Sequence, residues 1–458
     1  MRWTTKPCGN SQSRPVDMER TAGGKKLVRL SDDEQRMLDG GQGRLKQVAM
    51  ENVVRYATVL GAGELCEVTK ATVFCGAHRY LEVCTCEDFH EVFSKMNMAT
   101  DEIVHFDATA AGCHVQSCVS PCDQYRYASL SQTEQFFQKN SRYLAEAGKA
   151  GVIIAGTCAP YLTGWLPVKG EHFVTTESGV TVIGNSIWGA MGNADGIEAA
   201  FWSAICGRTP RWGNHLPEQR RGTHVVRVRT RLGTTLDWDL LGMAVGSRMP
   251  AGGVPVVDGG FSRAGFNDLR QFCTSLAITS NCELCHIVGI TPEARSVEDA
   301  LHLQPARDQL SVTDQELAAA YDTVCDQGEG EISLVSLGCP HYDIDQIKRV
   351  AMALDGKKIS PQVHFMVWTV YPIKCMADEN GYTRIIEEAG GQIYTSTCPT
   401  TIGPSLLDSH PAMVFDSLKQ AVSVRSCVSA RVHVGDALCC IEAAVRGRWT
   451  EEMRWKQS

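Results

Sequence analysis

The chain has 458 residues, enough to bury a large core and to form two or three domains. Its formal net charge of -8 is spread along the chain without blocks of Lys and Arg, which argues against a nucleic-acid partner. No apolar run approaches the roughly 18–20 residues of a bilayer span, which argues against a membrane role, and the N-terminus lacks the apolar core of a secretory signal.

Residues 1–28 are polar, mix Arg, Lys, Ser and Thr, and show neither a helical nor a strand period, so they read as a disordered extension. A mitochondrial transit peptide is the alternative, but Asp17, Glu19 and the lack of an amphipathic face weigh against it, and the expected location is cytoplasmic. Order begins at "RLSDDEQRML", where Ser31 and Glu34 make a capping box. "QGRLKQVAMENVVRYATVLG" predicts a helix ending at Gly61, "CEVTKATVF" a strand, "FHEVFSKMNM" a helix and "DEIVHFD" a strand. "SQTEQFFQKNSRYLAEAG" predicts a helix and "VIIAG" a strand. Thr223 to Gly260 is rich in strand formers and glycine and is expected to break the pattern. "SVEDALHL", "DIDQIKRVAMALDG", "YTRIIEEAGG" and "DALCCIEAAVRG" are helical, with strands at "EISLVSLG" and "QIYTST". This alternation predicts an α/β fold with largely parallel sheets over residues 29–447, with breaks near 222 and 305 and a tail at 448–458.

Twenty cysteines in a chain this long do not form the disulfide framework of a short secreted domain. They fit a reducing compartment, with most thiols acting as small buried apolar groups and a minority as ligands. Three share a context. Cys158 follows "VIIAGT", Cys339 follows "ISLVSLG", Cys398 follows "QIYTST", and each meets a proline within two residues. In open α/β sheets ligands gather beyond the carboxyl ends of the strands, so three such thiols can converge although they are remote in sequence. Three thiolates suit an iron–sulfur cluster, and three rather than four leave one iron open for Lewis-acid work. Three unrelated strand-end thiols are the plainer alternative.

Other motifs carry less. "CELCH", Cys282 to His286, has the spacing of haem attachment but runs into "IVGITPEA" as a buried strand does. "GAGEL" lacks the third glycine of a dinucleotide motif and follows a helix. Cys113, Cys118 and Cys122 have no matching second half for a zinc site, and Cys75 is one further strand-end cysteine. After Cys158, "EHFVTTESGVTVIGNSIWGAMGN" gathers Glu, His, Thr, Ser and Asn among small residues, a composition that allows close backbone approach to a ligand and equally suits a surface loop.

Taken together, "TCAPYLTGWLPVKGEH", "ESGVTVIGNSIWGAMGN", "AICGRTPRWGNHLPEQR", "HIVGITPEA", "LGCPH" and "STCP" occur in the order of the large, catalytic part of aconitase X. From about Leu30 to Gly447 the chain resembles this family of iron–sulfur hydro-lyases related to aconitase. The resemblance implies an aconitase-like fold of several α/β domains around a central cleft. It implies a [4Fe–4S] or [2Fe–2S] cluster held by Cys158, Cys339 and Cys398, and a substrate cleft lined by Thr109, Glu177, Ser178, Asn185, Ser186 and His341. Ser417 and Lys419, in "FDSLKQ", match a late S-x-K of the family and are the implied catalytic pair, binding the anionic groups of the substrate. Family members dehydrate cis-3-hydroxy-L-proline or mevalonate 5-phosphate. Their catalytic serine belongs to a small swivelling domain that this chain is expected to lack, which implies a small partner subunit and a hetero-oligomer.

Two segments depart from the family pattern. Gly189 to Asn193 reads "GAMGN" where the family has Gly-Ala-Arg-Thr-Asn, and "DATAAG" keeps only Thr109 of a threonine pair. Losing an arginine removes a bidentate donor for an anionic substrate. This leaves a cluster-binding but non-catalytic paralogue as the second reading.

Overall fold

The computed structural model of the chain describes residues 28–73, 91, 92, 94, 109–259, 261 and 264–455. Residues 1–27 of the expected extension at 1–28, Cys75, the strand "DEIVHFD" and most of "FHEVFSKMNM" lie outside the described residues, while Val28 packs against the first unit's core.

Local rules set the first elements. Ser31 and Glu34 cap the helix Asp32–Leu38 reciprocally. The helix Arg44–Leu60 stops at Gly61, whose left-handed conformation closes its last turn. These helices pack with Glu134–Lys149 and Ile197–Cys206 on a parallel sheet of Lys70–Val73, His114–Ser117 and Phe173–Val174. "CEVTKATVF" forms two strands, Leu65–Glu67 and Lys70–Val73; the first leaves the parallel sheet to pair antiparallel with Arg208–Pro210. "VIIAG" makes a single bridge, Ile153 to Gln116, rather than a strand, because glycines at both ends hold positive φ and turn the chain away.

A second parallel sheet orders His286–Ile287, Pro255–Gly259, His224–Val228 and Asp308–Val312. The Thr223 to Gly260 segment therefore continues the alternation. Its helix, Thr235–Gly246, is buried on all sides and carries no apolar stripe, so periodicity could not reveal it. Residue 305 lies inside this unit, since Asp308–Val312 pairs with His224–Val228; the chain leaves the sheet after the helix Asp314–Val324.

The third sheet orders Gly391–Thr395, His364–Thr369, Leu334–Tyr342, Ala412–Phe415 and Arg431–Val434, all parallel. Its order reverses between Leu334–Tyr342 and Ala412–Phe415, and at such a switch point the connections diverge and open a crevice at the carboxyl ends. Residues 448–455, expected as a tail, are built in: Arg448–Trp449 pairs with Gly330–Glu331, and the Trp449 side chain is fully buried. Among the described residues no helix is long and apolar enough to cross a membrane.

Candidate active site

A cavity of about 170 Å³ opens at the switch point of the third sheet. Cys158, Cys339, Cys398, Glu177 and Lys419 share its wall with Tyr161 and Thr274. The three thiols arrive from different places. Cys158 follows the bridge at Ile153, on the edge of the first sheet. Cys339 lies where Leu334–Tyr342 leaves its ladder: pairing with the neighbouring strand holds through Leu337 and resumes at Tyr342. That irregularity lifts Gly338 to His341 out of the sheet and re-aims their side chains. Cys398 is the N-cap of the short helix Pro399–Ile402 after strand Gly391–Thr395, with its Sγ 3.1 Å from the Thr401 hydroxyl.

Buried polar groups fix these ends to one another. The His341 ring, fully buried, donates from Nε2 to the Thr397 carbonyl (2.9 Å) and accepts at Nδ1 from the Thr157 hydroxyl (2.9 Å). One imidazole thus ties the residues preceding Cys158 and Cys398 to the strand that carries Cys339. Gln271 Nε2 shares its two N–H groups among the Cys339 carbonyl (3.2 Å), the Ser417 hydroxyl (3.0 Å) and the Asp239 carboxylate (3.0 Å). Asp239 also accepts from the Leu418 backbone N–H (2.9 Å) and from Ser275. It thereby anchors the first turn of helix Leu418–Arg425, which places Lys419. Asp416 accepts from the Gly338 N–H (3.1 Å) and from the Tyr342 hydroxyl.

Desolvation dominates the electrostatics. Burial pushes the Cys158 thiol up to about 12, with Glu177 and Cys398 adding to the rise and Lys419 opposing it. Cys339 and Cys398 are raised by burial as well, and Lys419 again opposes the rise at Cys339. Burial raises Glu177 above the usual carboxylate range, while Lys419 and a hydrogen bond from Cys118 pull it back. His341 is held neutral, lowered to about 4 by burial. A bound cation would reverse the balance at the thiols, since it stabilises the thiolate directly.

Of the residues expected at a site, the cavity gathers the three cysteines, Glu177 and Lys419. His341 joins strand ends instead of facing the cavity. Ser417 caps helix Leu418–Arg425 and is fully buried against Gln271. Asn185 is a bracket: its side chain accepts from the Gly192 N–H and donates to the Gly192 and Glu283 carbonyls. Ser186 accepts from the Cys285 N–H (2.9 Å). Ser178 is exposed at the start of its helix, and Thr109 lies over Gly151. Tyr161, Thr274, Gln271 and Asp239 were missed by sequence reasoning; only Tyr161 had a nearby signal, three residues after Cys158.

The "GAMGN" departure falls outside the cavity. Neither Met191 nor Gly192 lines it. A Cβ at Gly192 would stand 2.4 Å from the Phe173 ring, so the small residue at this position accommodates that aromatic. "CELCH" is internal: Cys282 and Cys285 are buried, and His286 Nε2 donates to the Arg220 carbonyl.

Parallel sheets whose carboxyl ends converge on three thiols, a carboxylate and an amine define an α/β enzyme of open-sheet type. The chain belongs to the aconitase X family: the models of its first, second and third domains match residues 27–218, 222–322 and 332–446. It is 30% identical over 425 residues to the phosphomevalonate dehydratase large subunit of Methanocaldococcus jannaschii, covering 92% of this chain and 100% of that protein. It is 26% identical over 446 residues to the cis-3-hydroxy-L-proline dehydratase of Pseudomonas aeruginosa, covering 95% of this chain and 73% of that one. The crystal structure of Thermococcus kodakaraensis aconitase X in its holo-form superposes with a TM-score of 0.76 at 25% identity, covering 91% of this chain and all of that one. The family read from the collinear motifs and the aconitase X fold are thereby met.

Proposed function

We propose that the chain is the large subunit of an iron–sulfur hydro-lyase that removes water from a small hydroxylated acid. The observation that carries this reading is the convergence of Cys158, Cys339 and Cys398 on one cavity with Glu177 and Lys419. The donor set fits a cluster: three soft thiols reach one cavity from separate segments, close enough to act on one another electrostatically. When bound, the cluster supplies a Lewis acid that weakens the bond to the leaving hydroxyl group.

The remaining work falls to the chain's own residues. Lys419 holds the carboxylate or phosphate of the substrate, a positive charge in a low-dielectric wall. Glu177, whose carboxyl burial raises, gives the proton that leaves with the hydroxyl as water, while the C–H proton next to the carboxylate passes to a base of the partner subunit. Tyr161, Val119 and Ile183 wall the cavity and exclude bulk water. A small partner subunit completes the site, as the name "large subunit" of the relatives matched over their whole length suggests. Mevalonate 5-phosphate is the first substrate on the strength of the 30% identity; cis-3-hydroxy-L-proline, whose dehydratases share 26%, is the second.

Anaerobic reconstitution tests the reading. The wild-type chain is expected to turn brown and retain iron and sulfide, and Cys158→Ser, Cys339→Ser and Cys398→Ser each to lose them. Dehydration of one of the two substrates is expected once the partner subunit is added. A wild-type chain without iron, or serine variants that keep it, would overturn the ligand assignment. Turnover by the chain alone would remove the partner, and a loaded complex inert toward both substrates would favour the non-catalytic paralogue.

A further inference from the structure

A second group of metal-ligating side chains lies apart from the three-thiol cavity. Cys66, His172 and His215 each offer a donor atom, and these atoms all lie within 4.8 Å of one another. Cys66 is on strand Leu65–Glu67, which pairs with Arg208–Pro210; His172 immediately precedes strand Phe173–Val174; His215 closes the turn Gly213–His215. None of the three lines the cavity.

We propose that Cys66, His172 and His215 bind a divalent ion of the zinc class. One thiolate and two imidazoles are a borderline-soft donor set that suits zinc. The two Nδ1 atoms stand 3.0 Å apart. Bond lengths of about 2.0–2.1 Å to nitrogen and about 2.3 Å to sulfur place tetrahedral donors roughly 3.3–3.6 Å apart, so the rings need open by only a few tenths of an ångström. His215 is fully buried; without an ion its ring has one hydrogen bond, Nδ1 to His172 Nδ1, and its Nε2 has no partner among the described residues.

Burial raises the Cys66 thiol to about 12, so the ion has to displace its proton, whereas the two imidazoles carry no such cost. Burial keeps both imidazoles neutral, His215 lowered to about 3, with lone pairs available. The two guanidinium groups acting on them are already paired, Arg211 with Glu64 and Arg220 with Glu293. Asp195 acts electrostatically on Cys66, and its Oδ2 is buried without a hydrogen-bond partner among the described residues. Binding releases the Cys66 thiol proton to solvent as the Sγ–metal bond forms, with no change in oxidation state. The ion would staple segments more than a hundred residues apart in sequence and stiffen the first sheet's unit.

Zinc titration of the cluster-loaded full-length chain against a chromophoric chelator tests this. Wild type is expected to bind one zinc per chain, and Cys66→Ser and His215→Gln to weaken it by more than about a hundredfold, beyond what loss of a mere outer-shell partner does. Cobalt(II) in its place is expected to give a thiolate charge-transfer band that Cys66→Ser abolishes. Cys66→Val, which keeps the apolar packing, checks that loss of metal is not loss of fold, and cluster iron is expected unchanged in all three variants. Absence of stoichiometric zinc in wild type, variants that bind as wild type, or a cobalt spectrum without the thiolate band would overturn the site.

Discussion

Replacing Gly338 by alanine adds one methyl group next to a proposed cluster ligand, and the structure says how much room it has. Gly338 holds φ +108, and a Cβ built there would stand 2.4 Å from the Trp368 carbonyl oxygen. That oxygen belongs to a backbone fixed on both sides, because strand His364–Thr369 pairs with Leu334–Tyr342 and with Gly391–Thr395. Two costs add. A non-glycine residue in a sparsely populated positive-φ region loses about 1–3 kcal/mol. Overpacking against an immovable neighbour loses about 1–3 kcal/mol more. Gly338→Ala is therefore expected to destabilise the chain by about 2–6 kcal/mol. Gly356 supplies the control: it holds φ +70 with nothing within 4 Å of an added methyl, so Gly356→Ala carries the conformational cost alone. Urea unfolding followed by tryptophan fluorescence measures the difference, and iron content after anaerobic reconstitution reports whether Cys339 has moved. Equal destabilisation of the two variants, with wild-type iron in Gly338→Ala, would refute the close approach.

Other perturbations have equally definite signs. Burial raises Asp239 from 3.8 to about 7, so its folded form keeps a proton that the unfolded chain releases. Stability present below about pH 4 is then lost as pH rises toward about 7, by up to roughly 4 kcal/mol, and Asp239→Asn is expected to flatten that slope in urea titrations at several pH values. Arg220 is buried among Glu293, Asn185 and the Asn214 carbonyl; Arg220→Met should cost about 3–5 kcal/mol, since it leaves a carboxylate and two carbonyls unpaired, and thermal melting would show it. Lys419→Met removes the cation that opposes the rise of Cys158 and Cys339, so turnover should fall at least about a hundredfold and iron loading should need higher pH. His341→Ala unties Thr157 from Thr397 and is expected to lose about 2–5 kcal/mol together with bound iron, whereas retention of both would show that the bridge holds nothing in place.

Where the apolar pattern was local, the sequence was sufficient. The capping box at Ser31, the stop at Gly61 and the helices Ile344–Leu354 and Ala437–Arg446 follow from side chains within a few residues of each other. The strand-end cysteines were legible for a related reason: a run of buried β formers that stops at Cys-Pro marks where a strand surfaces. Helix Thr235–Gly246 was not legible, because a helix buried all round has no polar face to set a period.

By itself the sequence determined that this is an α/β chain, that its thiols at 158, 339 and 398 share one context, and that its collinear motifs are those of aconitase X. Only the tertiary structure decided which polar residues face the cavity and which brace it. Asn185, Ser186, Ser417 and His341 look like site residues in sequence but spend their hydrogen bonds on backbone and neighbouring side chains. Glu177 and Lys419, from distant segments, meet across the cavity. The same holds for Cys66, His172 and His215, whose approach depends on an antiparallel pairing between remote strands that no local pattern encodes. Hydrogen-bond partners and cavity walls are chosen by the packing of remote segments, and no local sequence pattern encodes that packing.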